Sequence, residues 1–143
     1  MVLDTTYFSK KNKAIINDLV GKPFSFLQRF KLKGIGCKRM IIDEVSPNLQ
    51  VYINKVSDIS YANIELRPGG ILLNINKGLK NYTWIIPYYQ FYLYKTDGFS
   101  IHAQGRFVHF KNSISHRENA SFFEKLMVMK LDYDQKYPQI DMI

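Results

Sequence analysis

The chain has 143 residues, 46% hydrophobic and 15% aromatic, which suits the core of one domain and excludes wholesale disorder. One cysteine, Cys37, excludes an internal disulfide, no apolar run approaches the roughly 20 residues of a membrane-spanning helix, and the start lacks a secretory pattern, so a cytoplasmic protein is expected. The net charge of +8 lies wholly within residues 10 to 39, where Lys10, Lys11, Lys13, Lys22, Arg29, Lys31, Lys33, Lys38 and Arg39 stand with the single acid Asp18. That stretch is either a solvated surface or the side that meets an anionic partner, a nucleic acid or an anionic lipid surface.

Residues 9–20, SKKNKAIINDLV, predict a short amphipathic helix capped by Ser9 and closed by Gly21, with Ala14, Ile15, Leu19 and Val20 near one face. Its first-turn lysines oppose the helix dipole. Residues 24–33 admit a strand, by the alternation of Phe24, Phe26, Phe30 and Leu32, or a helical turn, by Phe26, Leu27 and Phe30. A strand is expected. Residues 37–45 and 49–56 predict a hairpin turning at Ser46-Pro47-Asn48. A second hairpin, Tyr61 to Arg67 and Gly70 to Ile75, turns at Pro68-Gly69 as a type II turn. Its register places Ile64, Leu66, Ile71, Leu73 and Ile75 on one face and Glu65, Arg67, Leu72 and Asn74 on the other.

After a polar connection over 76–81 comes YTWIIPYYQFYLY (82–94), in which seven of thirteen residues are aromatic. Such a run favours a pleated surface, and Pro87, which cannot donate to a ladder, bends it between two strand segments. Ile85, Tyr89, Phe91 and Leu93 are expected inside. Trp84, Tyr88, Tyr92 and Tyr94 fall on the other face, where polar tips can reach water, and lie either under another part of the chain or open to a partner. Phe99–Ala103 and Arg106–Phe110 predict a hairpin across Gln104-Gly105, pairing Ile101 with Val108 and Phe99 with Phe110. A helix is predicted over 119–133, capped at Ser115 or Ser121, with Phe122, Phe123, Leu126, Met127, Lys130 and Leu131 on its apolar face. Residues 134–143 read as a loose tail.

Catalytic patterns are missing. His102 and His109 fall on one face of the last hairpin, on diagonal positions roughly 7–8 Å apart. A metal would need a third ligand, and no carboxylate or cysteine stands at a motif spacing, so neither metal nor cofactor is expected. Cys37 beside Lys38 and Arg39 could be activated, but an inward-facing strand cysteine is the expectation. Asp43 and Glu44 are adjacent in a strand and point apart. Arg67-Pro68-Gly69-Gly70 and Lys77-Gly78 lack phosphate-loop spacing.

An antiparallel meander followed by one helix resembles the pleckstrin-homology-like superfold of small bacterial proteins. The segments that carry the resemblance are IELRPGGILLNI (64–75), YTWIIPYYQFYLY (82–94), FSIHAQGRFVHF (99–110) and FFEKLM (122–127). The resemblance implies an α+β domain over residues 1–143, with a bent sheet or partly open barrel over 37–110 covered by the C-terminal helix. The helix over 9–20 is an addition to that plan. It also implies a non-enzymatic binding or assembly module. A protein partner or self-association is expected first, and an anionic lipid surface or nucleic acid second. The alternative is a nucleic-acid-associated protein using residues 10–39. An enzyme built from scattered residues such as His102, His109 and Tyr88 is the remaining possibility.

Overall fold

The computed structural model describes residues 1–53 and 59–137. A short strand, β1 (Val2–Asp4), precedes α1 (Lys10–Val20). Ser9 starts α1 by accepting the Asn12 amide, and the Gly21 amide closes it on the Asn17 carbonyl. Next is α2 (Phe26–Lys31), where a strand was expected. The deciding chemistry is a capping box: Ser25 accepts from the Gln28 amide, and the Gln28 side chain accepts from the Ser25 amide at 2.9 Å.

β2 (Met40–Val45) does not form a hairpin with residues 49–53, the described part of the expected partner strand. Pro47–Tyr52 instead form a 3-10 helix, since Pro47 suits a first helical position and Leu49 buries its side chain. Residues 54–56 of the expected strand lie outside the described residues. β3 (Tyr61–Arg67) and β4 (Gly70–Lys77) pair in the predicted register, Arg67 with Gly70 and Leu66 with Ile71. Gly69 lacks the positive φ of a type II turn, and its amide bonds to the Val20 carbonyl at 2.8 Å. The supposed polar connection is strand on both sides of a tight turn, since Lys77 pairs with Lys80 at the start of β5 (Lys80–Pro87).

Pro87 ends β5. A 3-10 turn, Tyr88–Gln90, carries the chain to β6 (Phe91–Thr96), followed by β7 (Gly98–Ala103) and β8 (Arg106–Phe110). Phe99 pairs with Phe110 and Ile101 with Val108, as predicted. Gln104 and Gly105 both have positive φ, the geometry of a two-residue type I′ turn. α3 (Ile114–Glu118) and α4 (Ala120–Lys136) follow. Neither proposed serine caps them. Ser113 caps α3, and Asn119 before α4 turns its side chain onto the Lys38 backbone, accepting from the amide at 2.9 Å and donating to the carbonyl at 3.0 Å. Of the expected loose tail, residues 134–136 are helical and 138–143 lie outside the described residues.

The eight strands form one antiparallel sheet, ordered β1-β5-β4-β3-β2-β8-β7-β6, that does not close into a barrel. β2 joins the two halves, pairing Met40 with Ala62 on one side and Ile42 with Phe110 on the other. The main core lies between the sheet and α4. It includes Ile64, Leu66, Ile71, Leu73, Trp84, Ile86, Phe91, Ile101 and Phe110, with Phe122, Phe123 and Leu126 of α4. The opposite face of β4 and β5 carries a second cluster, Leu72 and Ile85 with Val20, against which Leu3, Ile15 and Ile16 pack. α1 therefore covers that face with Ile15, Ile16 and Val20, while Ala14 and Leu19 are exposed.

The aromatic run changes phase at the turn after Pro87. Before it, Trp84 and Ile86 enter the main core and Ile85 the smaller one; after it, Tyr88, Phe91 and Leu93 point inward while Tyr89 is exposed. A single odd-inside pattern does not survive three residues of 3-10 turn, because the turn rotates the strand that follows.

Candidate functional site

The aromatic contact candidates divide in two. Trp84 and Tyr88 are buried and serve the core. The Trp84 indole donates to Gln104 Oε1 at 3.0 Å, and the Tyr88 hydroxyl donates to the Arg67 carbonyl at 3.0 Å. Burial raises the Tyr88 phenol well above its ordinary range. Tyr92 and Tyr94 stay exposed on β6. The reason lies in the strand: β6 is the last of the sheet, pairs only with β7 among the described residues, and turns its even positions away from the core.

Beside β6 runs a groove of about 220 Å3, lined by Tyr92, Leu93, Tyr94, Met127, Lys130, Leu131 and Asp134. Met127 and Leu131 were expected in the core face of α4. That face is instead made by Phe122, Phe123 and Leu126 with Met129 and Tyr133 alongside, so Met127 and Leu131 are left exposed at the groove. Lys130 fixes the spacing between helix and strand. Its ammonium donates to the Tyr88 carbonyl at 2.7 Å, pairs with Asp134 at 3.2 Å and lies 4.9 Å from the Phe91 ring centre. The groove is thus an apolar trough beside an edge strand, with its one cation neutralised locally.

The basic candidates sit on separate elements. Lys10, Lys11 and Lys13 belong to α1 and Lys22 to its exit; Arg29 and Lys31 belong to α2 and Lys33 follows it; all are exposed. Lys38 pairs with Glu118 at 2.8 Å, and the Arg39 guanidinium lies 4.3 Å over the Tyr61 ring. The side chains that the sequence reading missed are Phe26, Leu27 and Phe30. They project from α2 into solvent among these cations. The Ser25-x-x-Gln28 spacing, just after Pro23, was the signal that a helix rather than a strand carries them.

The histidines are held by their neighbours. His102 bonds to Ser100 Oγ at 3.1 Å and stacks on Phe107, with ring centres 5.3 Å apart. The His109 ring lies 3.4 Å from the Asp43 carboxylate. His116 packs on Phe99 and Phe123, and burial, then Lys95, His109 and Arg117, lower its pKa. Among the described residues no three metal-ligating side chains converge. Cys37 precedes β2 rather than lying in it; its sulfur accepts the Ile64 amide at 3.1 Å, and burial pushes its pKa up to about 11. Such a thiol is the reverse of an activated nucleophile. No described helix is long and apolar enough to cross a membrane. No family model, curated protein or solved structure matches the chain.

Proposed function

We propose that this chain is a non-catalytic, cytoplasmic binding module of pleckstrin-homology-like plan, which takes an extended segment of a partner protein between β6 and α4. The observation that carries the reading is the pairing of a strand edge that has no strand neighbour among the described residues with an exposed apolar trough. An edge strand offers a row of backbone donors and acceptors to an added strand. Leu93, Met127 and Leu131, flanked by Tyr92 and Tyr94, offer apolar surface for alternate side chains of that strand. Tyr residues suit such contacts because they bury much area at small entropic cost. The strand order and the helix after the last strand support the pleckstrin-homology-like plan. The non-catalytic reading is supported by the histidines, each engaged by a serine, a carboxylate or aromatic rings, and by the buried thiol of Cys37. That same lone, protonated thiol suits a reducing cytoplasm.

The test is selection of peptides from a displayed random library, followed by mapping the tightest binder on the amide spectrum of the full chain. Shifts concentrated at residues 91–96 and along the Met127–Leu131 face are expected, with roughly tenfold weaker binding by Met127→Glu or Leu131→Glu. Peptides that map elsewhere, or bind both variants unchanged, would refute the reading. A concentration-dependent dimer lost in the same variants would identify a second copy as the occupant.

A further inference from the structure

A second exposed apolar surface lies on α2 and has a different chemistry. Phe26, Leu27 and Phe30 are 82%, 71% and 79% exposed, although each is a residue type that normally seeks the interior. They occupy one short, capped helix, so they share a small platform. The platform is pinned at both ends. Phe24 packs on the main core before it, and Ile35 and Cys37 do so after it. The Leu66 amide donates to the Ile35 carbonyl at 2.7 Å, and the Cys37 amide donates to the Ile64 carbonyl at 3.1 Å. Between these anchors the turn is closed by the Gly34 amide on the Arg29 carbonyl, and Lys125 of α4 donates to the Gly34 carbonyl at 3.0 Å. The three apolar side chains are therefore held outward by a segment whose two ends belong to the core.

The charge of the segment itself has one sign. Residues 19 to 42 contain no Asp or Glu, while Lys22, Arg29, Lys31 and Lys33 flank the platform and Lys125 reaches its far end. Exposed rings alone would fit any apolar partner. Exposed rings on a segment that carries several cations and no acid of its own fit a surface that is apolar below and anionic above.

We infer that α2 is an anchor for an anionic lipid surface, inserting Phe26, Leu27 and Phe30 among the acyl chains' upper segments while Lys22, Arg29, Lys31 and Lys33 meet the headgroup phosphates. This surface is distinct from the groove at β6, so the inference goes beyond the peptide-docking reading and can fail without it. Three side chains and four or five cations make a reversible contact, since a lone apolar anchor binds only marginally and needs charge as its second signal. The anchor keeps the β6 groove on the same molecule available to a protein segment, so one chain could hold a partner at a membrane surface.

The experiment is co-sedimentation of the full chain with phosphatidylcholine vesicles, with and without phosphatidylserine, at low and moderate salt. Binding is expected only with phosphatidylserine, falling as salt rises. The variant Phe26→Ser/Phe30→Ser, whose replaced rings are exposed and leave the core untouched, is expected to lose roughly tenfold in binding. Lys31→Glu/Lys33→Glu is expected to lose it to a similar extent. Phe26→Trp should shift its emission to the blue on vesicle addition, since the ring leaves water. Unfolding curves matching wild type keep these losses from being read as misfolding. No binding to phosphatidylserine vesicles overturns the inference, as does equal binding by Phe26→Ser/Phe30→Ser. A salt-sensitive complex with a short DNA duplex but no vesicle binding assigns the cations to nucleic acid. A dimer abolished by Phe26→Ser/Phe30→Ser, again without vesicle binding, assigns the platform to a second copy. Both of these results also overturn the inference.

Discussion

Replacing Arg67 by Met should loosen the whole α1 side of the protein. Arg67 is buried at the end of β3, and its guanidinium makes three hydrogen bonds: Nε to Glu65 Oε2 at 2.7 Å, and Nη1 to Asn17 Oδ1 at 3.1 Å and to the Gly21 carbonyl at 3.0 Å. The last two hold the C-terminal turn of α1 and its exit. Met keeps much of the apolar stem, so the loss falls mainly on polar groups. Asn17 and the Gly21 carbonyl are partly buried and would each lose a charge-assisted partner, about 1 kcal/mol apiece. Glu65 is a third exposed, so solvent screens its pair and its loss adds at most about 1 kcal/mol. The total is about 2 to 3 kcal/mol, or roughly 6 to 9 °C in Tm for a chain of this size.

Urea unfolding would measure the loss, followed by the fluorescence of Trp84, the only tryptophan, which is buried in the core. Combining Arg67→Met with Asn17→Ala gives a double-mutant cycle with an expected coupling of about 1 kcal/mol. The Tyr88 hydroxyl bonds to the Arg67 backbone and should be untouched by the substitution. A loss below about 0.5 kcal/mol, or strict additivity in the cycle, would show that the guanidinium does not tie α1 to the sheet.

Gly70→Ala should cost about 2 kcal/mol in the same assay, because a Cβ there would collide with the Ile86 carbonyl and with the Val20 side chain. Asn119→Ala should cost about 2 kcal/mol and speed hydrogen exchange at the Lys38 amide, which loses its buried acceptor. Cys37 gives a pH dependence. Its pKa is raised from 9.0 in the free thiol to about 11 in the fold, so the folded state holds the proton more tightly. This contribution is complete below about pH 9 and is lost as pH rises through about 11, some 2 to 3 kcal/mol in all. In unfolding across that window wild type should lose more stability than Cys37→Ala, the difference being the thiol's share. Tyr88, raised in the same direction by burial, acts equally in both proteins and cancels in the comparison.

The hairpins over 61–75 and 99–110 were readable because alternation and two-residue turns specify register locally. Ile64, Leu66, Ile71, Leu73 and Ile75 had one consistent face, and the sheet honours it. Where local signals competed, the outcome followed the stronger backbone chemistry. The alternation of Phe24, Phe26 and Phe30 suggested a strand, but the Ser25–Gln28 box satisfies two amides that a strand would leave to a neighbour. Pro47 read as a turn, yet it opens a 3-10 helix. The placement of β1 against β5 was beyond reach, since Val2-Leu3-Asp4 is too short to carry a periodic signal. Of the candidate surface, Tyr92 and Tyr94 stay exposed, whereas Trp84 and Tyr88 lie under other parts of the chain: both faces of β5 are covered, and the turn after Pro87 resets which side of the next strand faces inward. The groove itself needed α4, whose inward face is rotated from Met127 and Leu131 toward Met129 and Tyr133. A helix of mixed polarity does not announce such a rotation.

The two exposed apolar surfaces should answer differently to salt, which separates their chemistries in one experiment. In the groove beside β6 the lining cation, Lys130, is already paired with Asp134 at 3.2 Å and bonded to the Tyr88 carbonyl. An added strand there gains backbone hydrogen bonds and apolar contact, neither of which depends strongly on ionic strength. At α2 the flanking cations have no acid within residues 19–42 to neutralise them. Attraction of those cations to an anionic surface weakens as the screening length falls from about 10 Å at 0.1 M salt to about 3 Å at 1 M. Peptide affinity measured at the two salt concentrations should therefore change by less than about threefold, while vesicle binding should fall by more than tenfold. Equal salt dependence would mean that one surface serves both ligands, and the division of labour between β6 and α2 would be wrong.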